Sequence, residues 1–122
     1  MATARRFEDL EAWQKARELV REIYKVGAQG NFGRDFALRD QICRAAGSSM
    51  SNIAEGFSRN SDRDFAHFLD IARSSTSEVQ SLLYVALDIS HIETSEFDKL
   101  YKLADETASR IGGLILYLRK HS

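Results

Sequence analysis

A chain of 122 residues that contains no proline places no steric break in a helix, and its apolar residues recur at spacings of three and four rather than alternating. Four amphipathic segments follow from that period. Phe7, Leu10, Trp13, Ala16, Val20 and Ile23 mark the first, after which Gly27, Gly30 and Gly33 interrupt the pattern. The second runs from about Asp35 to Glu55 and is expected to stop at Gly56, since glycine favours the residue after a helix. Ser61-Asp-Arg-Asp64 has the form of a helix start, with a capping hydroxyl and a carboxylate three residues on. Behind it Phe65, Phe68, Leu69, Ala72, Val79, Leu82, Leu83, Ala86 and Ile89 sustain a third helix to about Ser90. Thr94-Ser-Glu-Phe-Asp98 opens a fourth, carried by Leu100, Leu103, Thr107, Ile111, Leu114 and Leu118. Short links between the later helices require antiparallel neighbours, so residues 1–122 are expected to form one all-α domain, an up-down-up-down four-helix bundle.

Two features fit a solvated monomeric bundle poorly. Gly112-Gly113 lies inside the fourth helix, where each glycine costs about 1 kcal/mol relative to alanine, and close backbone approach to another helix is the usual compensation. Ile115 and Tyr117 lie beside the Leu114 to Leu118 stripe, and Ile71 and Val85 lie outside the main stripe of helix three. Extra apolar faces point to burial between subunits, or else to a wide core in a small bundle.

Seventeen basic against eighteen acidic residues give a net charge of -1, which argues against binding nucleic acid through overall charge but leaves room for a local basic patch. No apolar run approaches the roughly 20 residues of a membrane span, and the N-terminal Met-Ala-Thr-Ala-Arg-Arg lacks the hydrophobic segment of a signal peptide. A cytoplasmic chain with no membrane partner is the expectation. The single cysteine, Cys43, excludes an internal disulfide, and with Ile42 and Ala46 beside it reads as a small buried thiol.

The richest polar pattern lies on helix two, where Gln41, Arg44, Ser48, Ser51 or Asn52, and Glu55 share one face beside the more apolar Ile42, Ala46, Ser49 and Ile53. Gln41-x-x-Arg44-Ala-Ala, followed by Asn52-Ile-Ala-Glu55-Gly56 and then Arg59, resembles the four-helix-bundle family of 23S rRNA intervening-sequence proteins, which includes accessory proteins of diversity-generating retroelements. Phe7 to Ala16 resembles that family's opening helix and Phe65 to Leu83 its third. The resemblance implies a closed ring, a homopentamer, and an association with structured RNA, other nucleic acid or a nucleic-acid enzyme. The retroelement accessory members are markedly basic, and this chain departs from them.

No catalytic constellation emerges. Asp64-x-x-His67 and Asp88-x-x-His91 have the spacing of di-iron ligands, but both lie on helix three, about 36 Å apart along its axis. They cannot share a metal, so His67 and His91 read as surface or turn residues. Arg73-Ser-Ser-Thr-Ser-Glu78 offers hydroxyls without a neighbouring general base, and Ser74, Ser75 and Ser77 read as packing and local hydrogen-bonding residues. Neither enzyme activity nor a metal or cofactor is expected. Arg39, Arg59, Arg63 and Arg73 remain as candidate nucleic-acid contacts, because a guanidinium fork suits phosphate. The same fork suits carboxylate. Gln41, Arg44, Asn52, Glu55, Gly56 and Glu78 accordingly read as motif or interface residues, with Arg44 and Glu55 in ion pairs within or between subunits. Two functions stay open: an oligomeric module binding structured RNA, or a protein-protein scaffold that touches no nucleic acid.

Overall fold

Side-chain caps begin two of the long helices where their residue types place them. The Ser61 hydroxyl accepts the Asp64 amide at 3.1 Å, and the Asp35 carboxylate accepts that of Leu38 at 3.2 Å; each satisfies a donor that has no partner inside its own helix. The structure, a computed structural model that describes residues 4–121, is all-α. After a 3-10 turn at Phe7–Asp9 come α1 (Glu11–Gly27), α2 (Gly30–Arg34), α3 (Phe36–Phe57), α4 (Asp62–Asp88) and α5 (Thr94–His121), and no strand occurs among the described residues.

Two of these elements differ from the sequence expectation. The glycine-interrupted segment after α1 contains a short helix, α2, because Phe32 within it is fully buried, which stabilises by roughly 2 kcal/mol and anchors five residues of weak helix propensity. Gly56 does not end its helix; α3 continues to Phe57. A β-carbon on Gly56 would lie 2.9 Å from both Phe65 Cδ1 and Phe68 Cβ, so glycine is used there for close approach to α4. The end of α4 is set instead by Ser90, which takes a left-handed φ of 64°, while Ser90 N donates to Leu87 O at 3.0 Å and His91 N to Ala86 O at 2.8 Å. Those two bonds form a Schellman cap.

Helix α1 packs on α3 and α5, and α4 packs on the same two. Two apolar clusters fill the space between them. One gathers Leu19, Ile23, Phe32, Ile42 and Leu83 with the start of α5; the other gathers Trp13, Ile53, Leu69, Ile111 and Leu118. Ile115 lies inside the second cluster rather than on an extra face. Its neighbour Leu116 is the exposed one, at 70%, and Ile71, Val85 and Tyr117 are also exposed.

Among the described residues the close approach expected at Gly112-Gly113 is not made. A β-carbon on Gly113 would meet nothing within 4 Å, and one on Gly112 would meet only Arg73 Nη1, at 3.9 Å. Among the described residues Gly113 is exposed and Gly112 half-buried beside Arg73, and neither glycine is pressed against another helix.

Candidate functional site

The α3–α4 turn orients its arginines through aromatic packing. Because Gly56 has no side chain, Phe65 and Phe68 of α4 come against α3, and the Arg59 guanidinium lies over the Phe68 ring at 4.5 Å. Arg59 Nη2 also reaches Glu55 Oε1 at 4.0 Å, and the Ser58 hydroxyl donates to the same carboxylate at 3.3 Å. The motif glycine thus sets the seat of the motif arginine.

In the first turn of α4, Arg63 lines a cleft of about 420 Å³ with Asp62, His67, Asp70 and Arg119. Asp70 is shared: it accepts from Arg73 Nη2 at 3.0 Å and from Arg119 Nη2 at 2.9 Å. With Asp62, which also lines the cleft, two carboxylates stand against the three guanidiniums of Arg63, Arg73 and Arg119; Arg63 is exposed and, among the described residues, has no ion-pair partner. Arg119 did not emerge from the sequence pattern. Its only sequence signal is a place in the basic last turn of α5, Arg119-Lys-His121, where cations complement the helix dipole.

The four candidate arginines do not converge. Arg39 lies twenty residues before Arg59 on the same helical path, roughly 30 Å away, and its groups are engaged there. Its Nη1 donates to Gly33 O at 3.0 Å, it contacts Asp40 at 3.4 Å, and its guanidinium lies 4.8 Å over Phe36. Arg39 therefore closes the α2–α3 corner. Arg73 reaches the cleft lined by Arg63 only through Asp70, which it shares with Arg119, and Arg59 does not line that cleft.

The motif residues divide in the same way. Asn52 donates its amide to Ser48 O at 2.9 Å and to Ser48 Oγ at 3.0 Å, and Ser75 of α4 donates to Ser48 Oγ at 2.9 Å. This network ties α3 to α4, so Asn52 is structural within the chain. Ser75 has the packing role expected of it, whereas Ser74 and Ser77 are exposed. Gln41 and Arg44 are exposed, and Arg44 and Glu55, about 16 Å apart on one helix, make no mutual pair. Among the described residues neither Arg44 nor Glu78 has an ion-pair partner in the chain.

A second polar cluster escaped the sequence reading. His91 Nε2–H donates to Asp35 Oδ2 at 2.9 Å, the imidazole stacks on Phe32 at 5.4 Å, and Nδ1 is buried without a partner among the described residues. The hydrogen bond from His91, helped by the Leu38 amide, holds the Asp35 carboxyl below the usual carboxylate range. A residue that reads as a turn histidine therefore clamps the α4–α5 turn to the start of α3. His67 is exposed at the other end of α4. Cys43 is buried, and burial pushes its thiol pKa up, which suits an inert thiol. Among the described residues no three His, Cys, Asp or Glu side chains gather as a metal site requires, and no helix is long and apolar enough to cross a membrane.

The sequence profile described as 23S rRNA-intervening sequence protein matches residues 8–113. A crystal structure of a protein with unknown function from the S23 ribosomal protein family of Bacteroides thetaiotaomicron VPI-5482 superposes with a TM-score of 0.77 at 23% identity, covering 85% of this chain and 97% of that one. At that identity the likeness speaks to the fold. No curated protein sequence matches the chain.

Proposed function

Since the chain belongs to the 23S rRNA-intervening sequence protein family, we propose that it is a non-catalytic, self-associating four-helix module that binds structured RNA through the end bearing the α3–α4 turn. An antiparallel arrangement is supported by three pairs of helices. Gly56 meets Phe65 while Ser48 meets Ser75; Asp70 meets Arg119 while Gln80 meets Asp105; Glu11 meets Arg110 while Glu22 meets Lys99. In each, numbers rise on one helix as they fall on the other. Self-association, in a closed ring for which the family resemblance favours five copies, is supported by exposed Gly113 and Leu116.

The observation that carries the RNA reading is the cleft in which Arg63 and Arg119 stand together while Asp70 is already shared by two arginines. Phosphate contacts release counterions, so affinity should fall steeply with salt. Replacing one contacting arginine by alanine should lower the log-log salt slope by about 0.9 on duplex. Anisotropy titrations of wild type and of Arg63→Ala/Arg119→Ala at several salt concentrations test this. Absence of wild-type binding at low salt removes the RNA reading, and an unchanged slope in the variant moves the contact elsewhere.

The scaffold reading is favoured by a separate observation. Arg39, Arg59, Arg73 and Arg119 all face carboxylates already, and a protein whose arginines are so occupied presents less charge to phosphate than its sequence implies.

A further inference from the structure

We propose that the α1–α3 cleft is a binding site for a free mononucleotide, with Tyr24 stacking on the base and Arg44 taking the phosphate. The cleft lies away from the α3–α4 turn, and the proposal goes beyond the RNA reading above without depending on it.

Gly27 sets the base of the cleft. A β-carbon there would lie 3.4 Å from Arg39 Cγ and 3.9 Å from Cys43 Sγ, so its missing side chain lets these residues of α3 come against α1. Outside that contact is a space of about 590 Å³, with Tyr24 and Ala28 on one side and Arg39, Asp40, Cys43 and Arg44 on the other. The volume falls within the roughly 300–1,000 Å³ of small-molecule sites.

The charges in the cleft resolve into one free cation. Arg39 is fixed: its Nη1 donates to Gly33 O at 3.0 Å, its guanidinium lies 4.8 Å over Phe36, and its Nη2 lies 3.4 Å from Asp40 Oδ1. Asp40 is thereby offset from within the cleft. Cys43 adds no negative charge, because it is buried and burial pushes its thiol pKa up. Arg44 is left, exposed and without an ion-pair partner among the described residues. A guanidinium has five donors in a planar fork, which matches the oxygens of a phosphate. Tyr24, across the cleft from it, is 56% exposed, and a planar base gains by stacking on such a ring.

The number of free groups sets the size of the ligand. A strand tracked along a groove meets cations and rings repeatedly, whereas this cleft offers one of each. The next exposed ring, Phe36, has Arg39 over its face. Arg17, which also lacks an ion-pair partner among the described residues, lies two turns before Tyr24 and outside the lining, 5.7 Å over the Trp13 ring. One ring and one guanidinium suit one base and one phosphate.

Calorimetric titration of the full chain with adenosine 5′-monophosphate tests the site, with adenosine, ribose 5-phosphate and a single-stranded oligoadenylate as the other probes. The nucleotide should bind once per chain in the micromolar to millimolar range, and adenosine and ribose 5-phosphate, each lacking one half of the recognition, should bind at least about tenfold more weakly. Tyr24→Ala and Arg44→Gln should each weaken the nucleotide by about tenfold, with helix content checked by circular dichroism. If Tyr24→Ala loses helix content, Tyr24→Leu replaces it, keeping apolar bulk without a ring, and should show the same loss of affinity. No binding of the nucleotide at millimolar concentration overturns the proposal, and binding that neither variant weakens places the ligand elsewhere and overturns it too. Adenosine or ribose 5-phosphate binding as tightly as the nucleotide contradicts the two-part recognition. Binding of the oligoadenylate without the mononucleotide assigns the cleft to a strand and overturns the free nucleotide as its ligand.

Discussion

Gly56 positions a guanidinium by lacking a side chain. An alanine there would place its methyl 2.9 Å from the Phe68 β-carbon and 3.2 Å from the Phe65 carbonyl, neither of which is the far end of a flexible group. Helix propensity alone would favour alanine by about 1 kcal/mol, but overpacking of this kind costs about 1–3 kcal/mol. We expect Gly56→Ala to lower stability in urea melts despite its better propensity and to displace Arg59 from Phe68; a variant as stable as wild type would mean the α3–α4 crossing relaxes freely. Asp35 allows a test by pH. Its carboxyl is held low in the folded state, so its contribution is present above the ordinary carboxylate range and is lost as pH falls through the depressed value, over a window beginning at ~pH 5. Asparagine caps a helix as well as aspartate, so Asp35→Asn keeps the cap and removes the charge. Thermal melts should show a shallower loss of stability toward acid in the variant, and equal slopes would contradict the His91–Asp35 clamp.

At the scale of helices, α5 makes the contrary use of glycine. A β-carbon on Gly113 meets nothing within 4 Å, so in a dissociated chain Gly113→Ala should stabilise by about 1 kcal/mol. If a second copy presses against that surface, the same methyl should weaken assembly. Opposite movements of dilute-solution melting temperature and of oligomer mass are expected, and a variant that gains stability with its mass unchanged would show that no copy packs there. The helices themselves were legible because a 3.6-residue period and the caps at Ser61 and near Thr94 are local signals. Helix α2 was not, since the burial of Phe32 that holds it is a tertiary effect overriding Gly30 and Gly33. Gly56 reads as a stop because sequence alone cannot distinguish a left-handed cap from a close crossing, and a left-handed cap residue occurs instead at Ser90, after the next helix. The candidate site was legible only in part. Arg59 and Arg63 are neighbours through a short turn, but Arg119 joins Arg63 from 56 residues further on and Arg39 is carried to the other end of α3.

For the molecule as a whole, the surface ion pairs contribute little to stability, since exposed pairs are worth about 0–1 kcal/mol each. Glu22 shows how little such a pair commits: the hydrogen bond from Lys99, then that from Lys25, hold its carboxyl below the usual range, yet both lysines remain exposed. Exposed apolar residues such as Phe36, at 62%, and Leu116, at 70%, are individually ordinary. What distinguishes this surface is that apolar groups and the exposed Gly113 lie on helix faces that no other described part of the chain covers. If association covers them, the folded state is stabilised by mass action, and each tenfold rise in protein concentration above the dissociation constant adds on the order of 1 kcal/mol. For a chain of this length that corresponds to a rise of about 4 °C in Tm. Melting curves recorded over a hundredfold concentration range should therefore shift upward for wild type, and Leu116→Arg should flatten the dependence. A wild-type Tm independent of concentration, together with monomer mass by light scattering, would leave those faces free for a different partner and remove self-association from the account.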